Sequence, residues 1–115
     1  MINLDYQSRT TIYEQIVTEI EKYVVLGIFK PKEQIMSIRE LAETLGVNPN
    51  TVKKAYSELE RKGVIQTIST KGNFISDNID NVVKRNVDEK IEELKRIILE
   101  LEKLGIDKKD ILSML

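Results

Sequence analysis

The chain has 115 residues, which suits one domain of about 100 to 150 residues and argues against a multidomain enzyme. It contains no cysteine and no histidine, which excludes disulfides, thiol or imidazole catalysis and the usual zinc ligands. The 18 basic and 19 acidic residues give a net charge of −1, so charge alone identifies no partner. Composition therefore predicts a binding module that is not an enzyme and has no metal or other cofactor.

No segment has the pattern of a membrane anchor. The charge-free apolar stretch after Lys22 runs only from Tyr23 to Phe29, whereas a membrane-spanning helix needs roughly 20 apolar residues. The first residues also lack the cationic and apolar blocks of a signal peptide. We therefore expect a cytoplasmic protein without a membrane partner.

The first predicted helix begins after Thr11, because Thr11 and Glu14 have the spacing of a capping box. Gly27 is expected to end it in the left-handed conformation. Apolar residues recur at three-to-four spacing between these ends, at Ile12, Ile16, Ile20, Tyr23 and Val24. This spacing predicts one face buried in a core.

A second, shorter helix is predicted from about Ile38 to Leu45. A very short strand at 34–36 precedes it, and the segment Ser37–Glu40 has the pattern of another capping box. Gly46 is expected to end this helix.

A third helix is predicted to begin at Asn48-Pro49 and to close at Gly63. Asparagine is a good cap, and proline is tolerated in the first helical turn. Two helices joined by a tight turn that contains glycine form a helix-turn-helix.

A β-hairpin follows the third helix. The β-branched segment 64–68 and the segment 73–75 flank a turn at 69–72. The expected fold class is therefore mainly α with a small β-hairpin wing. We expect a winged helix-turn-helix DNA-binding domain at 1–76.

Residues 77–115 are predicted to form a helical dimerisation region. A polar joint at 77–81 offers caps for a helix that runs to about Leu104, and Asp107 can cap a short final helix. Apolar residues of the long helix alternate at four and three positions, as in a coiled coil, at Val87, Ile91, Leu94, Ile98 and Leu101. We expect this stripe to pair two chains.

The third helix and the hairpin are locally basic. The range 48–76 contains five basic and two acidic residues. In a helix-turn-helix, the first residues of the second helix face base edges in the major groove. The candidate DNA-binding residues there are Asn48, Asn50, Thr51, Lys53 and Lys54. The alternative is that Asn48 only caps the helix and the lysines form a solvated face.

Three further residues are candidates for DNA contact. Arg39, on the first turn of the second helix, can reach a phosphate or a base. Lys71 and Gly72, at the tip of the hairpin, suit a close approach to the minor groove or backbone. An exposed arginine and a Lys-Gly turn are also ordinary surface features, so neither decides the function alone.

Three segments in combination resemble the GntR family of bacterial transcription regulators. They are IYEQI from Ile12, SIRELAETLGVNPNTVKKAYSELERKGVI from Ser37 and KGNFI from Lys71. The resemblance covers about residues 11–76. It implies contact with bases and phosphates of double-stranded DNA for Arg39, Asn48, Asn50, Thr51 and Lys53, and at the wing tip for Lys71 and Gly72. The tail resembles, in architecture, the two-helix dimerisation region of the YtrA subfamily. We therefore expect a homodimeric repressor, and the two-fold symmetry of the pair predicts a pseudo-palindromic operator. The subfamily resemblance points to an ABC transporter operon beside this gene as the target.

Several positions depart from the family pattern. Lys32 stands where the family has the glycine of a Pro-Gly turn, and Met36 replaces a proline before the second helix. Thr70 replaces the first glycine of the wing, while Ile68 and Ser69 occupy positions that are often basic. These departures predict a weaker electrostatic grip of the wing on DNA.

Two other functions remain open from the sequence. The chain could be a protein-interaction adaptor without operator binding, since helix-turn-helix units also bind proteins. It could also be a regulator with a small-molecule effector, although no residue pattern marks a pocket or identifies the effector. Salt-dependent binding to duplex DNA separates the first alternative from a DNA-binding regulator.

Overall fold

A computed structural model describes residues 2–115. Within them the chain forms α1 (Ile12–Val25), β1 (Gln34–Ile35), α2 (Ile38–Leu45), α3 (Pro49–Arg61), β2 (Ile65–Ile68), β3 (Gly72–Ile75), α4 (Ile79–Lys103) and α5 (Lys108–Met114). The expected fold class, mainly α with a small β-hairpin wing, is confirmed.

The described chain divides after Val83 into two compact units. The first unit extends beyond Ser76, where the composition changes, because Ile79 and Val82 are buried in its apolar core. Helix α4 begins at Ile79, so the polar joint expected at 77–81 is mostly helical. Apolar burial of its first turn accounts for this early start.

The core of the first unit is built where α3 packs against both α1 and α2. Ile16 of α1 and Val52, Ala55 and Leu59 of α3 are completely buried. These residues lie on the faces that the three-to-four spacing predicts. Burial of one face of α3 leaves its other face toward solvent.

Capping side chains fix the starts of the helices. The Ser37 hydroxyl accepts a hydrogen bond from the Glu40 N–H, and the Glu40 carboxylate accepts one from the Ser37 N–H. The hydrogen bond from the Ser37 N–H to the carboxylate, with a smaller contribution from the Ser37 hydroxyl, holds the pKa of Glu40 below its ordinary value. At α1 the Thr11 hydroxyl accepts from the Glu14 N–H at 3.4 Å, but within residues 2–115 the return bond of the predicted box is not formed.

The three strands form one antiparallel sheet in the order β1-β3-β2. Ile65 pairs with Ile75 and Ile68 with Gly72, so β2 and β3 form the predicted hairpin. We call this hairpin, residues 65–75, the wing. β1 pairs with the other side of β3, with Gln34 opposite Phe74.

The second unit contains the later part of α4 and the short helix α5. Gly105, just after the end of α4, has a φ of 94°. The Asp107 carboxylate caps α5 by accepting a hydrogen bond from the Asp110 N–H at 3.1 Å. Both features agree with the sequence prediction. Nowhere in residues 2–115 is there a helix with both the length and the apolar character needed to cross a membrane.

Candidate nucleic-acid interface

The start of α3 is set by Asn48. Its side-chain oxygen accepts a hydrogen bond from the Asn50 N–H at 2.8 Å, and Pro49 occupies the first helical position. The cap therefore forms as predicted and occupies Asn48 Oδ1. The residue is exposed, and the cap does not use its amide nitrogen.

The polar residues of the next turn lie on the outer side of α3. Asn50 and Lys53 are exposed and Thr51 is half-buried, while Val52 between them is completely buried. The buried face holds the helix in place, and the opposite face presents two hydrogen-bonding side chains and a cation. This chemistry suits both base edges and phosphates.

Tyr56 fixes α3 relative to the segment before α2. Its hydroxyl donates a 2.6 Å hydrogen bond to the Met36 carbonyl oxygen, and only 4% of the residue is exposed. Burial raises the pKa of the Tyr56 phenol, and the nearby Glu40 carboxylate adds to the increase. The phenol therefore stays protonated and keeps donating.

Arg39 projects from the first turn of α2. Its Nε lies 3.3 Å from Glu43 Oε1, and the two side chains are 88% and 70% exposed. An ion pair this exposed contributes little free energy. The guanidinium can exchange the carboxylate for a phosphate or a base at small cost.

Lys54 has a partner on another helix. Its ammonium nitrogen lies 4.0 Å from the centre of the Tyr13 ring in α1, within the range of a cation–π interaction. The sequence pattern does not indicate this contact. The ring is half-buried and reaches Lys54 because α1 and α3 pack together.

An open groove of about 390 Å³ lies between the starts of α1 and α3. Thr11, the N-cap of α1, and Tyr13 of α1 lie on one side of it. The groove brings together four of the predicted DNA-binding residues, Asn48, Asn50, Thr51 and Lys54. The other predicted residues, Arg39, Lys53, Lys71 and Gly72, do not line it.

The tip of the wing places Lys71 toward solvent. Gly72 has a φ of 123°, and a Cβ there would lie 2.7 Å from Gln34 Nε2. That nitrogen donates to the Lys71 carbonyl oxygen at 2.9 Å. A Cβ at this position would push the Gln34 side chain away from its hydrogen bond, and the φ of 123° itself favours glycine. The sequence pattern did not indicate this contact with Gln34.

Two residues that replace family glycines adopt left-handed backbone conformations. Lys32 has a φ of 68° and Thr70 a φ of 66°. L-residues with a Cβ are strained in this region. The two turns therefore form with Lys32 and Thr70 in place of the glycines that the resemblance implies.

The apolar stripe of α4 lies in the second unit. Val87, Ile91 and Leu94 are 53%, 44% and 45% exposed, and Ile98 and Leu101 are half-buried. Exposed apolar side chains in a continuous row are typical of an interaction surface.

Comparison with known proteins establishes the family. The sequence profile of the bacterial regulatory proteins, gntR family, matches residues 12–75, which include α1, α2, α3 and the wing. The chain belongs to the GntR family. It is 41% identical over 108 residues to the HTH-type transcriptional repressor YtrA of Bacillus subtilis (strain 168), a match that covers 93% of this chain and 83% of YtrA.

Solved structures agree with this GntR assignment. A structure described as a transcriptional antiterminator from Listeria monocytogenes EGD-e has a TM-score of 0.75 and 43% sequence identity, covering 99% of this chain and 86% of that chain. The AraR DNA-binding domain, solved in complex with operator ORE1, has a TM-score of 0.57 and 25% identity, covering 66% of this chain and 93% of that chain. The GntR protein is a DNA-binding transcription regulator, as the resemblance implies, and not an enzyme.

Proposed function

We propose that this GntR protein is a homodimeric repressor that binds a pseudo-palindromic operator through the first turns of α3. One observation carries the proposal: Val52, Ala55 and Leu59 bury one face of α3 completely, while Asn50 and Lys53 on its outer side are exposed. A rigid helix with an open polar first turn fits the major groove.

The charges of the proposed surface support contact with DNA. Between Thr44 and Ser57 the sequence has no carboxylate, so α3 presents Lys53 and Lys54 without a competing acid in its first two turns. Phosphate contacts by such cations supply much of the affinity for duplex DNA. In this proposal Arg39 of α2 and Lys71 with Gly72 of the wing add backbone or base contacts on either side.

The apolar stripe of α4 supports pairing of two chains. Within the described chain, no other residues bury the side chains of Val87, Ile91 and Leu94. Their heptad spacing suits packing against a second helix. Two-fold pairing places two copies of α3 about one DNA turn apart, roughly 10 base pairs. This arrangement supports the predicted division into a DNA-binding part, 1–76, and a dimerisation part, 77–115, with the boundary moved to Val83, where the first compact unit ends.

The experiment that tests the proposal is a genome-wide footprint, followed by binding of the recovered duplex at several salt concentrations. We expect affinity to fall steeply as salt rises. Arg39→Ala and Asn50→Ala should each weaken operator binding by about 1–3 kcal/mol. Arg96→Ala, which removes the same side chain from the second unit, is the matched control for Arg39 and should leave binding unchanged.

Two results would contradict the proposal. Salt-insensitive binding to a protein, with no binding to any duplex, would establish the adaptor instead. Unchanged footprints in both Arg39→Ala and Asn50→Ala would refute the assignment of the contact residues.

The same footprint tests the regulated target. The resemblance to the YtrA subfamily supports an operator upstream of an ABC transporter operon, and the repressor YtrA is a 41% identical relative. We expect transcripts of the adjacent operon to rise when the gene is deleted. A fall in those transcripts would indicate an activator.

A further inference from the structure

The groove between α1 and α3 has the composition of an anion site. Its lining includes Lys54, Thr11, Thr51 and Asn50, and none of its lining residues is acidic. An anion there would meet one cation and several hydrogen-bonding side chains. No carboxylate of the groove would oppose it.

The charge of this groove has to come from a side chain. The Asn50 N–H donates to Asn48 Oδ1 at 2.8 Å and the Thr51 N–H donates to the Asn48 carbonyl oxygen at 2.9 Å. These amides at the start of α3 are therefore occupied within the chain. Lys54 is the basic residue among those that line the groove.

Tyr13 limits where that charge can be. A lysine has a flexible four-carbon stem, so a free ammonium samples many positions. The Tyr13 ring lies 4.0 Å from Lys54 Nζ and attracts the ammonium toward α1. Lys53, one residue earlier, is exposed and has no ring beneath it in the part of the chain that is described.

We propose that the groove holds one phosphate of the DNA backbone, with Lys54 contacting the phosphate and Tyr13 acting as the positioning residue for Lys54. This inference rests on the proposed DNA binding and names one contact of that interface. Holding the ammonium in place before DNA arrives reduces the side-chain entropy that the contact loses. Tyr13 thereby raises affinity without touching a base and without adding sequence preference.

A double-mutant cycle on the full chain with its operator duplex tests the inference. Lys54→Met removes the charge, Tyr13→Leu removes the ring, and a third variant carries both changes. Lys53→Met is the matched control for loss of a neighbouring lysine, and Tyr13→Phe keeps the ring. Affinity is measured by fluorescence anisotropy across a salt series, and thermal melting confirms that each variant is folded.

Specific outcomes support the assignment. Lys54→Met should reduce the slope of log affinity against log salt by about 0.9 for each bound protomer. Tyr13→Leu should weaken binding about two- to fivefold when Lys54 is present, and by less than that when Lys54 is already methionine. Tyr13→Phe should bind like the unsubstituted chain, and Lys53→Met should leave the effect of Tyr13→Leu intact.

Other outcomes overturn it. An unchanged salt slope in Lys54→Met would show that Lys54 does not contact a phosphate. If Tyr13→Leu weakens binding equally with lysine and with methionine at position 54, Tyr13 acts only through packing. If Tyr13→Leu does not fold, Tyr13→Met replaces it in the cycle. Failure of the unsubstituted chain to bind any duplex overturns the proposed function as well, whereas normal binding with an unchanged Lys54→Met slope overturns this inference alone.

Discussion

The Tyr56 hydroxyl donates a 2.6 Å hydrogen bond to the Met36 carbonyl oxygen, which ties α3 to the residue that precedes the α2 cap. Met36 stands where the family pattern has proline, and a carbonyl oxygen is available with either residue. The bond therefore helps to fix the position of α3 relative to the start of α2, and it does not depend on the side chain at position 36.

Burial of the Tyr56 phenol beside the Glu40 carboxylate predicts an alkaline loss of stability. The pKa of Tyr56 is raised in the folded chain, so above about pH 10 the unfolded state loses the phenol proton first and the free energy of unfolding falls as pH rises. Tyr56→Phe should cost about 1 kcal/mol at neutral pH and should flatten the alkaline decline. Urea unfolding across the alkaline range measures both effects. Equal alkaline slopes in the two proteins would contradict the prediction.

Thr70→Gly should stabilise the fold. Thr70 has a φ of 66°, and relief of left-handed strain is worth about 1 kcal/mol. Lys32→Gly, at a φ of 68°, should act in the same direction. Ser69→Gly is the control, because Ser69 does not have a positive φ. There glycine only raises the conformational entropy of the unfolded chain, so this variant should be less stable. Thermal denaturation compares the three, and a lower melting temperature for Thr70→Gly would refute the strain.

Gly72→Ala should destabilise the wing by about 1–3 kcal/mol. The added Cβ would lie 2.7 Å from Gln34 Nε2 and would break the hydrogen bond to the Lys71 carbonyl oxygen. Gly46→Ala is the matched control, because Gly46 also has a left-handed φ but nothing lies within 4 Å of its added Cβ. Chemical unfolding should show a smaller loss for Gly46→Ala. If both variants lose the same free energy of unfolding, the backbone conformation alone explains why glycine is needed at position 72, and contact with Gln34 does not contribute.

Leu94→Asp should convert the proposed dimer to a monomer. A carboxylate in an apolar helix pair costs about 2 kcal/mol or more for each subunit. Leu99→Asp is the matched control, since Leu99 is similarly exposed but lies about 140° around α4 from Leu94. Sedimentation should show monomers for the first variant and dimers for the second. A dimeric Leu94→Asp would place the interface elsewhere.

Local sequence signals predicted the helices and the wing well. The Ser37–Glu40 box, the Asn48-Pro49 start and the Asp107 cap each act within a few residues, so the sequence alone identifies them. The start of α4 was not evident, because the polar residues after Ser76 obscure the buried Ile79. Whether an apolar residue in a polar segment is buried depends on distant parts of the chain.

The candidate site was predicted only in part for the same reason. Exposure of Asn50 and Lys53 follows from the helix period. The Lys54–Tyr13 contact joins residues 41 positions apart, and the Gln34–Lys71 bond joins residues 37 positions apart. Periodicity within one helix or strand carries no information on such pairs. They depend on the packing of α1 against α3 and on the pairing of β1 with β3, which the sequence pattern does not give.

The occupied amides of Asn50 and Thr51 at the start of α3 have an evolutionary consequence. Because the backbone N–H groups there already have hydrogen-bond partners, side chains have to make the contacts with the target. These side chains can be replaced without changing the backbone of the turn. New target preferences can then arise through single codon changes at positions such as 50, 51 and 53, each tolerated by the fold.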